Sequence, residues 1–206
     1  MSQIVLPLTP VSNSPSRIVI GAANAHVADA LGRPEAWPFR TAVLTGPPRS
    51  GKSLLARWFA ATGPQDIRRE VIDDAHRMDE TALFHRWNRA QEEGTALLIV
   101  AGEPPWNIAL PDLRSRLGAA LQLEVGPPDD AMAAELFAVL AEQRALPLGA
   151  DAADYLVPRA GRSWADIEKL IAAIDRLSLE RKVPATQSIW RAALEAVHGP
   201  EEPRLL

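Results

Sequence analysis

A chain of 206 residues with 47% apolar and 23% charged residues is large enough to bury a core, and its composition excludes general disorder. The absence of cysteine removes disulfides, thiolate metal sites and a cysteine nucleophile, and His26, His76, His85 and His198 lack the spacing of a zinc site. A formal net charge of −4 argues against strong autonomous binding to nucleic acid, which depends on Lys and Arg neutralising phosphates.

Met1 to Leu8 has no positive n-region and only a short apolar run broken by Pro7. Neither a signal peptide nor a membrane anchor is expected, and a cytoplasmic protein is. Residues 9–17, rich in Ser and Pro, read as a flexible tether. A short helix is expected over Asn24–Leu31, stopped by Gly32 and Pro34, and a buried strand over Thr41–Thr45. Lys52–Ala61 reads as a helix with Leu54, Leu55, Trp58 and Phe59 on its apolar side, ended by Gly63 and Pro64. The strand Glu70–Ile72 runs into Asp73 and Asp74, and a helix from Asp79 to Glu93 places Leu83, Phe84 and Trp87 on one face before Gly94 closes it. The apolar run 96–101 suits a buried strand and is far too short to span a bilayer. Leu121–Val125 alternates as a last strand and stops at Gly126-Pro127-Pro128. Beyond Asp129 only helical patterns occur, at 129–144, 151–158, 163–181 and 187–197, the third opened by Ser163 as a cap. The chain therefore divides into an α/β half and an all-helical half.

Between the strand at 41–45 and the helix at 52–61 lies Gly46-Pro47-Pro48-Arg49-Ser50-Gly51-Lys52-Ser53, the G-x-x-x-x-G-K-[ST] pattern of a phosphate-binding loop. Its glycines let backbone N–H groups converge on phosphate oxygens, and the helix that follows offers its positive end. In such loops the lysine reaches the β- and γ-phosphates and the hydroxyl ligates Mg²⁺; Lys52 and Ser53 take these places. The expected ligand is ADP or ATP with Mg. The acids that end the next strand fit the other half of the site, with Asp73 holding the metal through water and Asp74 orienting or deprotonating the attacking water.

Ala101-Gly102-Glu103-Pro104-Pro105, followed by Leu110-Pro111-Asp112-Leu113-Arg114-Ser115-Arg116-Leu117, resembles the DnaA-like AAA+ family. There a strand ends in a Gly/Ser-Asp-Arg-Pro-Pro turn and is followed by Asp-Leu-x-Ser-Arg-Leu. The resemblance runs from about residue 18 to 198 and implies an AAA+ P-loop base at 18–128 with a small helical lid at 129–206. It also implies that Arg116 is an arginine finger acting in trans on a neighbouring subunit's nucleotide, where a guanidinium neutralises charge on the γ-phosphoryl oxygens. Ile20, Leu54 and Arg162 join the loop residues as expected nucleotide contacts. Three departures stand out. The interval from Lys52 to Asp73 is too short for the strand and helix usually inserted there, so the parallel sheet is expected to keep about four core strands. Glu103 and Pro104 replace the Asp and Arg of the turn. Ala165 stands where the lid's sensing arginine is expected, with Arg162 one turn away.

Gln3-Ile4-Val5-Leu6-Pro7-Leu8 resembles the Gln-Leu-x-Leu-Pro-Leu peptide by which the Hda type of DnaA-related regulator docks on the DNA polymerase sliding clamp, its β subunit. Gln3 suits a polar pocket, while Ile4, Leu6, Pro7 and Leu8 bury apolar surface. The chain also stops at Leu206, where DnaA would continue into a DNA-binding domain. The expectation is therefore a regulator of chromosomal replication initiation of residues 1–17 (peptide and tether), 18–128 and 129–206, bound to the clamp and stimulating ATP hydrolysis by DnaA through Arg116. The alternative is an autonomous AAA+ ATPase, helicase-loader-like, or a DNA-associated adaptor. Self-association into a homo-oligomer is left open.

Overall fold

The computed structural model describes residues 5–7, 17–63, 67–149 and 151–199. Two short strands, β1 (Val5–Pro7) and β2 (Arg17–Val19), open the chain. There follow α1 (Ala25–Leu31), β3 (Thr41–Thr45), α2 (Lys52–Ala61), β4 (Arg69–Ile72), α3 (Glu80–Glu92), β5 (Ala96–Val100), α4 (Pro111–Gly118) and β6 (Leu121–Glu124). Four helices complete it: α5 (Asp130–Gln143), α6 (Ala152–Leu156), α7 (Trp164–Arg181) and α8 (Gln187–His198). The chain forms two compact units, one of Ala22–Gly126 and one joining residues up to Gly21 with those from Pro127 onward.

In the first unit four strands form a parallel sheet in the order β4-β5-β3-β6, the reduced sheet that the short interval after Lys52 implies. The two central strands are its continuous apolar ones. β5 is buried at all its positions, and β3 from Thr41 to Leu44, as expected for parallel strands covered on both faces. β6 at the edge alternates, with Leu123 buried and Gln122 and Glu124 exposed. Register is set by Val43 opposite Ile99 and Leu44 opposite Val100, so Gly46, just beyond β3, lies beside the end of β5.

Helices cover both faces. Val43, Ile72, Leu97 and Ile99 share a core with Leu83, Trp87 and Ala90 of α3 and Leu113 and Leu117 of α4. The alternate residues, Ala42, Leu44, Leu98 and Val100, point to the opposite face and are likewise buried. Helix α2, which touches β4 and β5, buries Leu55 and Phe59. Burying each such side chain stabilises the unit by about 1.5–3 kcal/mol. Trp37 stacks on Phe59 at 5.2 Å between ring centroids, and its Nε1–H donates to the Ala30 carbonyl at 2.8 Å.

The second unit is built on α5–α8 around Phe137, Leu156, Ile167, Leu170, Ile171, Ile174, Ile189 and Trp190. Ser163 caps α7 by accepting the Asp166 N–H at 3.1 Å, and Asp129 caps α5 by accepting that of Met132 at 2.7 Å; each satisfies a donor the helix leaves unpaired. Residues 18–21, expected to open the α/β base, group with these helices instead. β2 packs on α5 and pairs antiparallel with β1, Val5 opposite Val19 and Pro7 opposite Arg17. Of the expected docking peptide, Gln3, Ile4 and Leu8 lie outside the described residues, as does the tether apart from Arg17; the backbone of Leu6 and Pro7 belongs to β1. Among the described residues no helix is long and apolar enough to cross a membrane.

Candidate functional site

Open parallel sheets place ligand sites outside the carboxyl ends of their strands, where neighbouring connections diverge. Here β3 leaves toward β4 on one side and receives β6 on the other, and the loop Gly46–Ser53 occupies that position. Gly46 has φ +144°, and a Cβ there would lie 2.8 Å from the Val125 carbonyl oxygen. Only glycine fits this approach of the loop to the end of β6. The turn passes through left-handed backbone at Arg49 (φ 67°) and Gly51 (φ 82°). Pro47 is half-buried, Pro48 and Arg49 are exposed, and Ser50 is buried with no hydrogen-bond partner for its hydroxyl among the described residues. Helix α2 then starts at Lys52 with no side-chain cap, and Ser53 and Leu54 lie in its first turn. An uncapped helix end, a glycine cradle and an orphaned hydroxyl fit a phosphate group bound on the loop.

Lys52 is folded over this loop, its Nζ donating to the Gly46 carbonyl at 2.7 Å and the Pro47 carbonyl at 2.8 Å. Burial lowers its pKa from the ordinary lysine value, while Glu103, Asp73 and Asp74 act in the opposite direction. Asp73 and Asp74 follow β4, and the Asp74 N–H donates to Asp73 Oδ1 at 2.9 Å. That closed turn holds Asp74 in left-handed backbone (φ 52°).

Glu103 was read from the sequence only as a departure from the family turn, yet it is the carboxylate with the largest influence on Lys52. Strand adjacency accounts for this. The Gly46 N–H donates to the Gly102 carbonyl at 3.3 Å, which sets the residue after Gly102 beside the loop. His76 was missed as well. Its ring stands beside Gly102, where a Cβ would come within 3.5 Å of Nε2. A pairing of β5 with β3, read from their shared apolar character, would have pointed to Glu103, and its pairing with β4 to His76.

The two arginines of α4 differ sharply. Arg114 is committed to its own chain, with Nε and Nη2 donating to the Ile108 carbonyl at 2.8 and 2.5 Å. Arg116 is exposed, and its guanidinium lies 4.5 Å from the Trp87 ring centroid and 5.2 Å from that of Phe84. Ile20 and Arg162 belong to the helical unit. Ile20 is half-buried after β2, and exposed Arg162 sits 4.0 Å from Asp130. Ala165 occupies the first turn of α7.

No protein-family model matches the sequence. Solved structures do match in fold. Domain III of the replication initiation protein DnaA from Thermotoga maritima superposes with a TM-score of 0.72 at 14% identity, over 89% of this chain and 95% of that one. The Holliday junction branch migration motor RuvB of Thermotoga maritima gives 0.63 at 19% identity, over 89% and 73%. A replication initiator DnaA bound to AMPPCP and single-stranded DNA gives 0.60 at 16% identity, over 79% of this chain and 65% of that one. The chain is thus an α/β protein with the AAA+ P-loop fold, a base with a four-stranded parallel sheet followed by a small helical unit. Within that class its fold is DnaA-like.

Proposed function

We propose that this protein binds ADP or ATP with Mg²⁺ on the loop Gly46–Ser53 and acts as a DnaA-related regulator of replication initiation. The observation that carries the nucleotide reading is the cradle itself, in which Gly46 cannot bear a side chain and the N-terminus of α2 is uncapped beside Lys52. Lys52 would engage the β- and γ-phosphates, and Ser53, with Asp73 through water, would hold the metal. The metal would supply charge neutralisation at the phosphates. Leu54 lines the start of α2; Ile20 and Arg162 are the contacts proposed for the helical unit. Asp74 would orient a water at the terminal phosphate.

In this reading the chemistry takes place on a partner. Arg116, which has no carboxylate partner among the described residues, is offered to the ATP site of DnaA, and residues 3–8 dock on the sliding clamp in the cytoplasm. The likeness to DnaA domain III supports a DnaA-type partner. A second reading, an autonomous ATPase, is favoured by the retention of Asp73 and Asp74 near Lys52.

One reconstituted assay separates the two. With clamp and DnaA present, Arg116→Ala abolishes the stimulated hydrolysis, a loss on the order of 10³-fold or more for a trans arginine, while nucleotide binding by the variant is retained. Stimulation that survives the substitution, or steady turnover without DnaA that depends on Asp74, would select the autonomous enzyme.

A further inference from the structure

Glu80, Phe84 and Trp87 stand at i, i+4 and i+7 on α3 and so share one face of that helix. All three bear on the segment that carries Arg116. Glu80 accepts the Ala109 N–H at 2.8 Å and the Leu110 N–H at 2.6 Å, just where α4 begins. Arg114 ties the same segment from the other side through the Ile108 carbonyl. Leu113 and Leu117 are buried in the core shared with α3, so α4 is fixed along its length. Arg116 then lies over the rings of Trp87 and Phe84 at 4.5 and 5.2 Å. A guanidinium is attracted by a ring face, and its five N–H donors lie in its own plane. A guanidinium that meets these rings with its face keeps its edge available.

We infer that Phe84 and Trp87 are positioning residues for Arg116, holding its guanidinium by the face so that the in-plane N–H fork is presented outward to a phosphate of a second nucleotide-bearing subunit. The inference rests on the reading of Arg116 as a trans-acting arginine. A free arginine side chain samples many rotamers, and ordering it on contact opposes binding at the moment of catalysis. The ledge orders it beforehand. One short helical turn, Ala75–Arg77, separates Asp73 and Asp74 from α3, so the ledge is mounted close in the chain to the acids proposed for this chain's own nucleotide.

Trp87 is part of the core, so Phe84, which is only half-buried, is the residue to change. Phe84→Ala is expected to lower the maximal stimulated hydrolysis rate of the partner by about two- to fivefold, the fold-change of one exposed cation–π contact. The concentration of this protein giving half-maximal stimulation should not move. Phe84→Tyr, which keeps the ring, should restore the rate, whereas Phe84→Leu, which keeps apolar bulk, should not. The Arg116 side-chain protons, shifted by the ring currents in the wild type, should move toward free-arginine values in Phe84→Ala. A merely structural lesion would raise the half-maximal concentration, leave the maximal rate intact and be rescued by leucine, and that result overturns the inference. If Arg116→Ala is effective but Phe84→Ala leaves both rate and chemical shifts unchanged, the ledge is refuted and the arginine reading stands. If Arg116→Ala is itself without effect, the arginine reading falls and the positioning role falls with it.

Discussion

The loop Gly46–Ser53 and the proposed Arg116 ledge are built in opposite ways. The loop is one contiguous stretch, Gly46 to Ser53, whose conformation follows from two glycines, a strand before it and a helix after it. The ledge is assembled from Glu80, Phe84 and Trp87 on α3 and from residues 108–117, segments brought together only by a shared core. A site of the first kind carries its signature in spacing. A site of the second kind has none, because its residues are ordinary helix residues until the packing is known. The two also differ electrostatically. Lys52 donates to two carbonyls of its own loop, with burial lowering its pKa and the charges of Glu103, Asp73 and Asp74 opposing that, whereas Arg116 keeps its donors free of carboxylate partners among the described residues.

That contrast can be broken by substitution. The largest effect is expected at the loop, where Lys52→Ala should weaken nucleotide binding on the order of 100-fold, the value of one or two charge-assisted hydrogen bonds to phosphate. Calorimetric titration with ADP and ATP measures it, and near-normal affinity in a folded variant would remove the phosphate role. Next comes Gly46→Ala, which forces a Cβ against the Val125 carbonyl at 2.8 Å with φ at +144°. Backbone strain of about 1–3 kcal/mol and a similar overpacking cost should appear as an earlier urea midpoint; an unchanged midpoint would mean that the approach to β6 is soft. The smallest effect belongs to the ledge. Glu80→Gln should cost about 1–2 kcal/mol as its charged acceptor is lost, with faster hydrogen exchange confined to the Ala109 and Leu110 amides. Exchange that stays slow at those two amides would show that α4 is held without Glu80.

Much of the fold could be read in advance because burial patterns differ between centre and edge. β3 and β5 are continuous apolar runs and proved central, while alternating Leu121–Glu124 proved to be an edge. Ser163, read as a cap, acts as one, and the helices expected from Asp79 and Asp129 begin with those residues as caps. Other features had no local signal. Phe39 and Arg40 adopt left-handed backbone, held by Gln91 Nε2 on the Phe39 carbonyl at 2.9 Å and by Arg40 Nη1 on the Gly94 carbonyl at 2.9 Å. Such partners are more than fifty residues away, and no propensity reports them. The grouping of β2 with the helical unit was equally hidden, since a three-residue strand is compatible with any neighbour.

The sequence by itself determined the glycine-bearing loop between β3 and α2, the order of strands and helices along the chain and the division into an α/β and a helical part, because each depends on short-range spacing and on side-chain periodicity. Tertiary structure alone decided that the turn after β5 lies beside the loop, with the Gly46 N–H on the Gly102 carbonyl, and that Arg116 rather than Arg114 keeps its donors without a carboxylate or carbonyl partner among the described residues, over two aromatic rings. These outcomes depend on which strand lies beside which and on how α4 docks against α3, relations set by the burial of a common core rather than by neighbours in the chain.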